Sequence, residues 1–290
     1  MRLTIIRTGP MTVLKDRGRP GHAHLGVAPS GTVDRSAYAR ANALVGNQAG
    51  AAALECTLGG LRVVFDRPAV VVLTGTDAVL DVQGRRCGVE EVVTVPAGAA
   101  VTVTMPRRGL RSYLAVRGGF DVPPVLGSRS SDRIGGIGPA RPAAGDVLPI
   151  GAATVPGSAD GDHGSADREK PPDYDGPLEV DLGPRDDWFT AEAVATLLSA
   201  EFTVTAASDS VGLRLDGPAL TRARTGELPS EGVVRGSVQV PPDGRPIIFQ
   251  ADHPLTGGYP VIAVLTPRAA DRAAQARPGA KIRFAPADQP

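Results

Sequence analysis

LRVVFDRPAVVVLTGTDAVLDVQGRRCGVEEVVTVPAGAAVTVTMPRRGLRSYLAV, residues 61–116, decides the fold. Six apolar runs recur within it, at 61–65, 70–74, 79–82, 92–95, 100–105 and 111–116, each alternating with period two or continuously apolar. Pro68, Gly75, Gly84, Pro96, Gly98 and Gly109 separate them, and Gly59-Gly60 precedes them. Runs this short, with no helix-length segment between them, suit an antiparallel sandwich or closed barrel and argue against parallel α/β winding. Composition agrees, since 36 glycines and 27 prolines in 290 residues, at 42% hydrophobic content, call for many short strands and turns.

Upstream, residues 3–6 and 11–14 read as short strands about Gly9-Pro10, and residues 16–34, with four glycines and two prolines, read as a shaped loop. Asp34 then caps a helix carrying Tyr38, Ala41, Leu44 and Val45 on one face and stopped by Gly46-Asn47. A short second turn is expected at 49–54. Downstream, the loop 118–138 is long enough to be functional. Residues 152–176 are small, polar and acidic and read as a solvated linker. The second half restarts with a strand at 178–181 and a helix at 190–200 capped by Thr190. Strands follow at 202–205, 213–215, 237–240, 247–250 and 261–265, then a helix from Thr266-Pro267 to Pro278-Gly279 and a closing strand at 281–284. The division is therefore 1–151, a linker at 152–176, and 177–290.

The 31 basic residues balance 31 acidic ones with no basic run, which disfavours nucleic acid and anionic membrane as partners. Cys56 and Cys87 are too few for a disulfide scaffold or zinc framework. No apolar run has membrane-spanning length, and the first ten residues lack the apolar centre of a signal peptide, so a cytoplasmic protein is expected. There is no Walker phosphate loop and no GxSxG elbow. The His22/His24 pair lacks convergent ligands, so no metal is expected. Glu55-Cys56 could pair a base with a nucleophile, although a core cysteine after a helix reads better. Arg129 and Arg133 could clamp a carboxylate, or stand as solvated surface charge.

The chemically suggestive stretch is QVPPDGRPIIFQADHPLTGGYP, residues 239–260. Its Pro-Pro-Asp-Gly segment is turn chemistry. Thr256, Gly257, Gly258 and Tyr259 set two residues without Cβ beside a hydroxyl and a phenol, where backbone N–H groups could meet a carboxylate, or simply make a glycine turn. Asp252 could act as a general base there, with His253 beside it.

GRPGHAHLGVAPSGTVDRSAYARANALVGN (18–47), LECTLGG (54–60), YLAVRGGFDVPPVLGSRSSD (113–132), SEGVVRGSVQVPPDGRPI (230–247) and DHPLTGGYP (252–260) together resemble the biotin-dependent carboxyltransferase-like family, also described as KipA-like or allophanate hydrolase subunit 2-like, which includes the C-type subunit of the prokaryotic 5-oxoprolinase. The resemblance spans nearly the whole chain apart from the acidic linker. It implies a mainly β chain with a few helices, as two cyclophilin-like β-barrel subdomains in tandem.

It further implies an amide-hydrolase subunit, inactive alone, in ATP-dependent opening of 5-oxoproline to glutamate. The implied partners are a KipI-like chain, which is the B-type subunit of 5-oxoprolinase, and its A-type subunit. Alternatives within the resemblance are a non-catalytic antagonist of a KipI-like histidine-kinase inhibitor, or a subunit of carboxyltransferase or allophanate hydrolase type that acts on urea derivatives. ATP would be used by the partner complex. Biotin enters only through the resemblance, because the chain lacks a Met-Lys-Met attachment segment. Carried onto matching positions, the implied catalytic residues are Asp252, Glu231 and Tyr259. The implied substrate-binding residues are Pro29, Ser30, Gly31, Asp34, Asn42, Ser230, Gln239, Thr256, Gly257 and Gly258. The chain departs from the family's usual VPPSG and TVQD at Val27-Ala28-Pro29-Ser30-Gly31 and Thr12-Val13-Leu14-Lys15-Asp16, and Lys15 and Arg17 add charge.

Overall fold

The computed structural model describes residues 1–153 and 176–287, so the acidic linker lies almost wholly outside the described residues. The chain divides into two compact units that do not follow a single cut. Among the described residues, the first holds 1–19, 34–132 and 136–153, and the second holds 20–33, 133–135 and 176–287.

Among the described residues, eleven strands and one α-helix build the first unit. The strands are β1 (Arg2–Thr8), β2 (Met11–Lys15), β3 (Ala53–Thr57), β4 (Leu61–Phe65), β5 (Ala69–Thr74), β6 (Leu80–Val82), β7 (Arg85–Arg86), β8 (Val93–Val95), β9 (Ala100–Val103), β10 (Arg111–Val116) and β11 (Val147–Pro149). They form a six-stranded sheet, β11-β1-β4-β9-β6-β7, and a five-stranded sheet, β2-β3-β10-β5-β8, paired antiparallel throughout. Period-two alternation explains the packing. Val71, Leu73, Leu114 and Val116 turn inward with Leu3, Ile5, Val63 and Phe65 to form the core. Val72, Tyr113 and Ala115 turn outward and are covered by Ala37, Tyr38 and Ala41 of α1 (Arg35–Leu44). Burial on both faces is why β5 and β10 read as continuous apolar runs.

In the second unit, β12 (Leu178–Leu182), β13 (Phe202–Val204), β14 (Gly212–Asp216), β15 (Glu231–Gly232), β16 (Ser237–Gln239), β17 (Ile247–Phe249), β18 (Thr256–Gly257), β19 (Val261–Leu265), β20 (Lys281–Ile282) and β21 (Phe284–Pro286) accompany α2 (Ala191–Ser199) and α3 (Pro267–Ala273). Eight strands make one sheet, β20-β13-β14-β17-β16-β19-β12-β21, while β15 and β18 form a separate pair. Val180, Leu197, Phe202, Leu213, Val238, Ile248, Ile262 and Leu265 form its core. Thr190 and Thr266 cap α2 and α3 by accepting from the N–H groups of Ala193 and Ala269.

The expectation of a mainly β chain with a few helices holds, and three local readings are corrected. The turn expected at 49–54 is confined to 49–50, and β3 starts at Ala53 with Leu54 and Cys56 in the core, so Cys56 sits mid-strand and not after a helix. The last helix stops at Ala273, well before Pro278. The closing strand splits at Arg283, whose carbonyl accepts from Leu178 N–H, leaving β20 and β21 at opposite ends of the sheet order. No helix among the described residues is long and apolar enough to cross a membrane.

Candidate functional site

The second unit carries the site, and it begins at the end of β17. The chain leaves the sheet through Gln250 and Asp252, whose N–H groups donate to Val211 and Ser210 carbonyls at 2.9 Å each. Asp252 is 2% exposed, and the Ser30 hydroxyl, itself 1% exposed, donates to its carboxylate at 2.5 Å. Ser30 holds φ at +54°, a left-handed conformation that costs a non-glycine residue of order 1 kcal/mol or more, and Gly31 follows at +99°. This strained corner is pinned nearby, because Val33 packs with Ala251 and Ala274 while its carbonyl accepts from Arg235 Nη2 at 2.8 Å. The Pro29-Ser30-Gly31 corner therefore belongs to the unit that carries Asp252, although 222 positions separate the two residues. His253 is buried beside Phe249, with Nδ1 2.7 Å from the Pro254 carbonyl.

Beyond Asp252, the loop re-enters order through β18, which pairs Gly257 with Glu231 and Thr256 with Gly232 of β15. Gly257 and Gly258 do not have positive φ, so turning is not their role. A Cβ on Gly257 would stand 2.5 Å from Gln239 Nε2, whereas one on Gly258 would find nothing nearer than the Leu228 carbonyl at 3.8 Å. Gln239, 4% exposed, fills the space beside Gly257 and donates to the Tyr259 carbonyl at 2.8 Å. Its amide thus sets the position of Tyr259, which is 43% exposed. Thr256 and Ser230 are exposed and Pro29 is half-buried.

Glu231 is bound by the Arg185 guanidinium, with Nε 3.0 Å from each carboxylate oxygen and Nη2 also donating. That hydrogen bonding holds the Glu231 carboxyl below its ordinary range against the opposing effect of desolvation. A carboxylate so engaged is a weak proton acceptor.

Asp34 and Asn42 sit in the first unit with structural partners. Asp34 Oδ1 caps α1 at Ala37 N–H, 2.9 Å away, and accepts from the Ser36 hydroxyl at 3.0 Å. Asn42 donates to the Ala51 carbonyl and accepts from Asn47 Nδ2, both at 2.9 Å. Arg129 and Arg133 do not form a clamp: Arg129 holds Asp121 and the Val122 carbonyl, and Arg133 pairs with Asp209 at 2.7 Å. Glu55 accepts from the Tyr113 hydroxyl at 2.8 Å, and burial raises the Cys56 thiol to about 12, so the pair has no nucleophile. The His22 and His24 rings lie 6.5 Å apart, and no group of three His, Cys, Asp or Glu among the described residues could hold a metal.

With this geometry in place, similarity to known proteins becomes specific. The family model described as carboxyltransferase domain, subdomain A and B, matches residues 25–286. The chain belongs to this family. Among its members, the C-type subunit of 5-oxoprolinase from Escherichia coli (strain K12) is 36% identical over 97% of this chain and 90% of its own length. The crystal structure of TTHA0988 superposes with a TM-score of 0.85 at 37% identity, covering 98% of this chain and 55% of that one. The Kluyveromyces lactis urea carboxylase structure gives a TM-score of 0.87 at 27% identity, covering 98% of this chain and 27% of that one. This carboxyltransferase-family chain thus spans little more than half of one solved relative and about a quarter of the other.

Proposed function

We propose that this chain is the C-type subunit of an ATP-dependent 5-oxoprolinase, inactive alone and working with a KipI-like B-type partner and an A-type partner that use the ATP. The observation that carries the reading is the extent and identity of the match. This chain is 36% identical to the Escherichia coli 5-oxoprolinase subunit over 90% of that subunit's length, against 30% identity over 16% of the Saccharomyces cerevisiae urea amidolyase, so the stronger and fuller match supports the 5-oxoprolinase reading. Opening the lactam adds water to the carbonyl carbon and breaks the C–N bond, with one proton delivered to the departing nitrogen. Asp252 is the group that accepts and returns that proton, and the Ser30 hydroxyl holds its carboxylate in one orientation. Thr256 and Tyr259 are the exposed hydroxyls of the same loop and serve the amide as hydrogen-bond partners.

The test is reconstitution of the three chains with 5-oxoproline and ATP, measuring glutamate release. Asp252→Asn, which keeps an acceptor for Ser30, should lower kcat about 100-fold or more. No glutamate from a correctly assembled wild-type complex sinks the activity, and ATP-dependent carboxylation of urea by the same complex would replace it with the urea reading.

A further inference from the structure

Arg185, Arg224, Arg235, Arg245, Arg272 and Arg283 of the second unit each face a carboxylate, of Glu231, Asp187, Asp271, Asp216, Glu179 and Glu201 respectively. Arg222 does not. It is half-buried, its Nη2 donates to the Val240 carbonyl at 2.6 Å, and its Nε is fully buried without an acceptor. Its Cζ lies 5.9 Å from the centroid of the Tyr259 ring. Nη1 makes no hydrogen bond to any described residue and is not among the buried unpartnered atoms, so it reaches accessible space.

A guanidinium partly withdrawn from water and lacking a counter-ion is costly, and the π-face of Tyr259 relieves only part of that cost. Its natural complement is a planar group with two anionic oxygens, which an arginine edge grips with two parallel hydrogen bonds. Three features make the place a seat and not a stray surface charge. Tyr259 is set in position through its own carbonyl by the buried Gln239 amide. A Cβ at Gly258, next to it in the chain, would meet only the Leu228 carbonyl, at 3.8 Å. The same loop, eight residues long from Asp252 to Tyr259, carries the acid–base carboxylate.

We infer that Arg222, stacked on Tyr259, binds the carboxylate of the substrate, and so selects a lactam that bears a carboxylate over one that does not. This rests on the small-amide reading of the site above and adds the group that recognises the substituent on the ring. It replaces the clamp expected from Arg129 and Arg133, whose charges are met by Asp121 and Asp209.

The experiment uses the assembled complex with two probes, 5-oxoproline and 2-pyrrolidinone, the same ring without the carboxylate. Equilibrium binding is measured for wild type, Arg222→Gln and Arg222→Lys, alongside KM and kcat for 5-oxoproline. Wild type should bind 5-oxoproline more tightly than 2-pyrrolidinone. Arg222→Gln should erase that preference, weakening 5-oxoproline about 10- to 100-fold while leaving 2-pyrrolidinone within about 3-fold, with the kinetic effect falling on KM more than on kcat. Arg222→Lys should restore part of the preference, as a point charge without the fork. Equal weakening of both probes would make Arg222 structural and overturn the inference, as would a wild-type complex that does not distinguish the probes or binds neither. A complex that prefers 5-oxoproline through Arg222 yet releases no glutamate would leave the carboxylate seat standing and remove the proposed reaction.

Discussion

Replacing Gln250 by leucine should make the protein more stable. The side chain is 1% exposed, and neither Nε2 nor Oε1 finds a hydrogen-bond partner. Each buried polar group left without a partner costs ~1–3 kcal/mol, so the two together cost about 2–6 kcal/mol relative to an apolar side chain. Leucine is shorter and differently branched, and the repacking around it costs up to about 1.5 kcal/mol. The backbone bond from Gln250 N–H to the Val211 carbonyl, 2.9 Å long, is untouched by the change. The expected net gain is therefore about 1–4 kcal/mol, which raises Tm by about 4–8 °C per kcal/mol in a domain of roughly 100 residues. Urea denaturation should show a higher midpoint with unchanged slope, and calorimetry a matching shift of the second unit's transition. Gln250→Glu in parallel should cost several kcal/mol, because it buries a charge where an amide is already unsatisfied. A Gln250→Leu protein less stable than wild type by more than about 1 kcal/mol would refute the reasoning, because it would mean that the amide is hydrogen-bonded in the folded protein.

Two further outcomes follow from residues already described. Gly257→Ala should destabilise by about 1–3 kcal/mol by dislodging the buried Gln239 amide from the Tyr259 carbonyl, while Gly258→Ala should stay within about 0.5 kcal/mol; equal effects in urea denaturation would dismiss the packing role of Gln239. Burial raises the Cys56 thiol to about 12 and pushes the Tyr38 and Tyr113 phenols upward, with Asp16 adding to the rise at Tyr38 and Glu55 at Tyr113. All three folded values lie above the unfolded ones, so this contribution to first-unit stability is complete below about pH 8.5 and declines as pH rises, the Cys56 part being lost through about 12. Tyrosinate absorbance from Tyr38 and Tyr113 should appear together with loss of circular dichroism in that window, and ionisation of both before any structural loss would contradict it.

What the sequence made legible was whatever depends on neighbours along the chain. Asp34, Thr190 and Thr266 are read as caps because a cap acts within three residues, and all three accept from the N–H group that the pattern predicts. The strand runs of 61–116 are equally local. β3 was hidden because Ala53, Leu54 and Cys56 have no strong strand preference and take their conformation from pairing with β2 and β10 on either side. The site was half legible. Asp252 and Ser30 could be singled out by motif, but their contact spans 222 positions and no local pattern encodes it. Arg222 could not be found from spacing at all, since an arginine is marked only by the absence of an acid in three dimensions. At the glycine pair, the sequence offered either backbone access or a turn; neither glycine has positive φ, and Gly257 makes room for the Gln239 amide, which no local pattern could show.

The allocation of residues 20–33 to the second unit has a consequence for how the protein can be made and divided. On a ribosome, the serine corner emerges long before its carboxylate partner exists, and the second unit cannot finish until the chain returns to collect it. Closing so long a loop adds little to the equilibrium cost but delays folding. A gene split at the acidic linker would strand that corner on the wrong fragment, so the downstream piece alone would fold around an Asp252 with no hydroxyl to meet it. Supplying residues 20–33 as a separate peptide, or grafting them ahead of residue 176, would restore what such a cut removes.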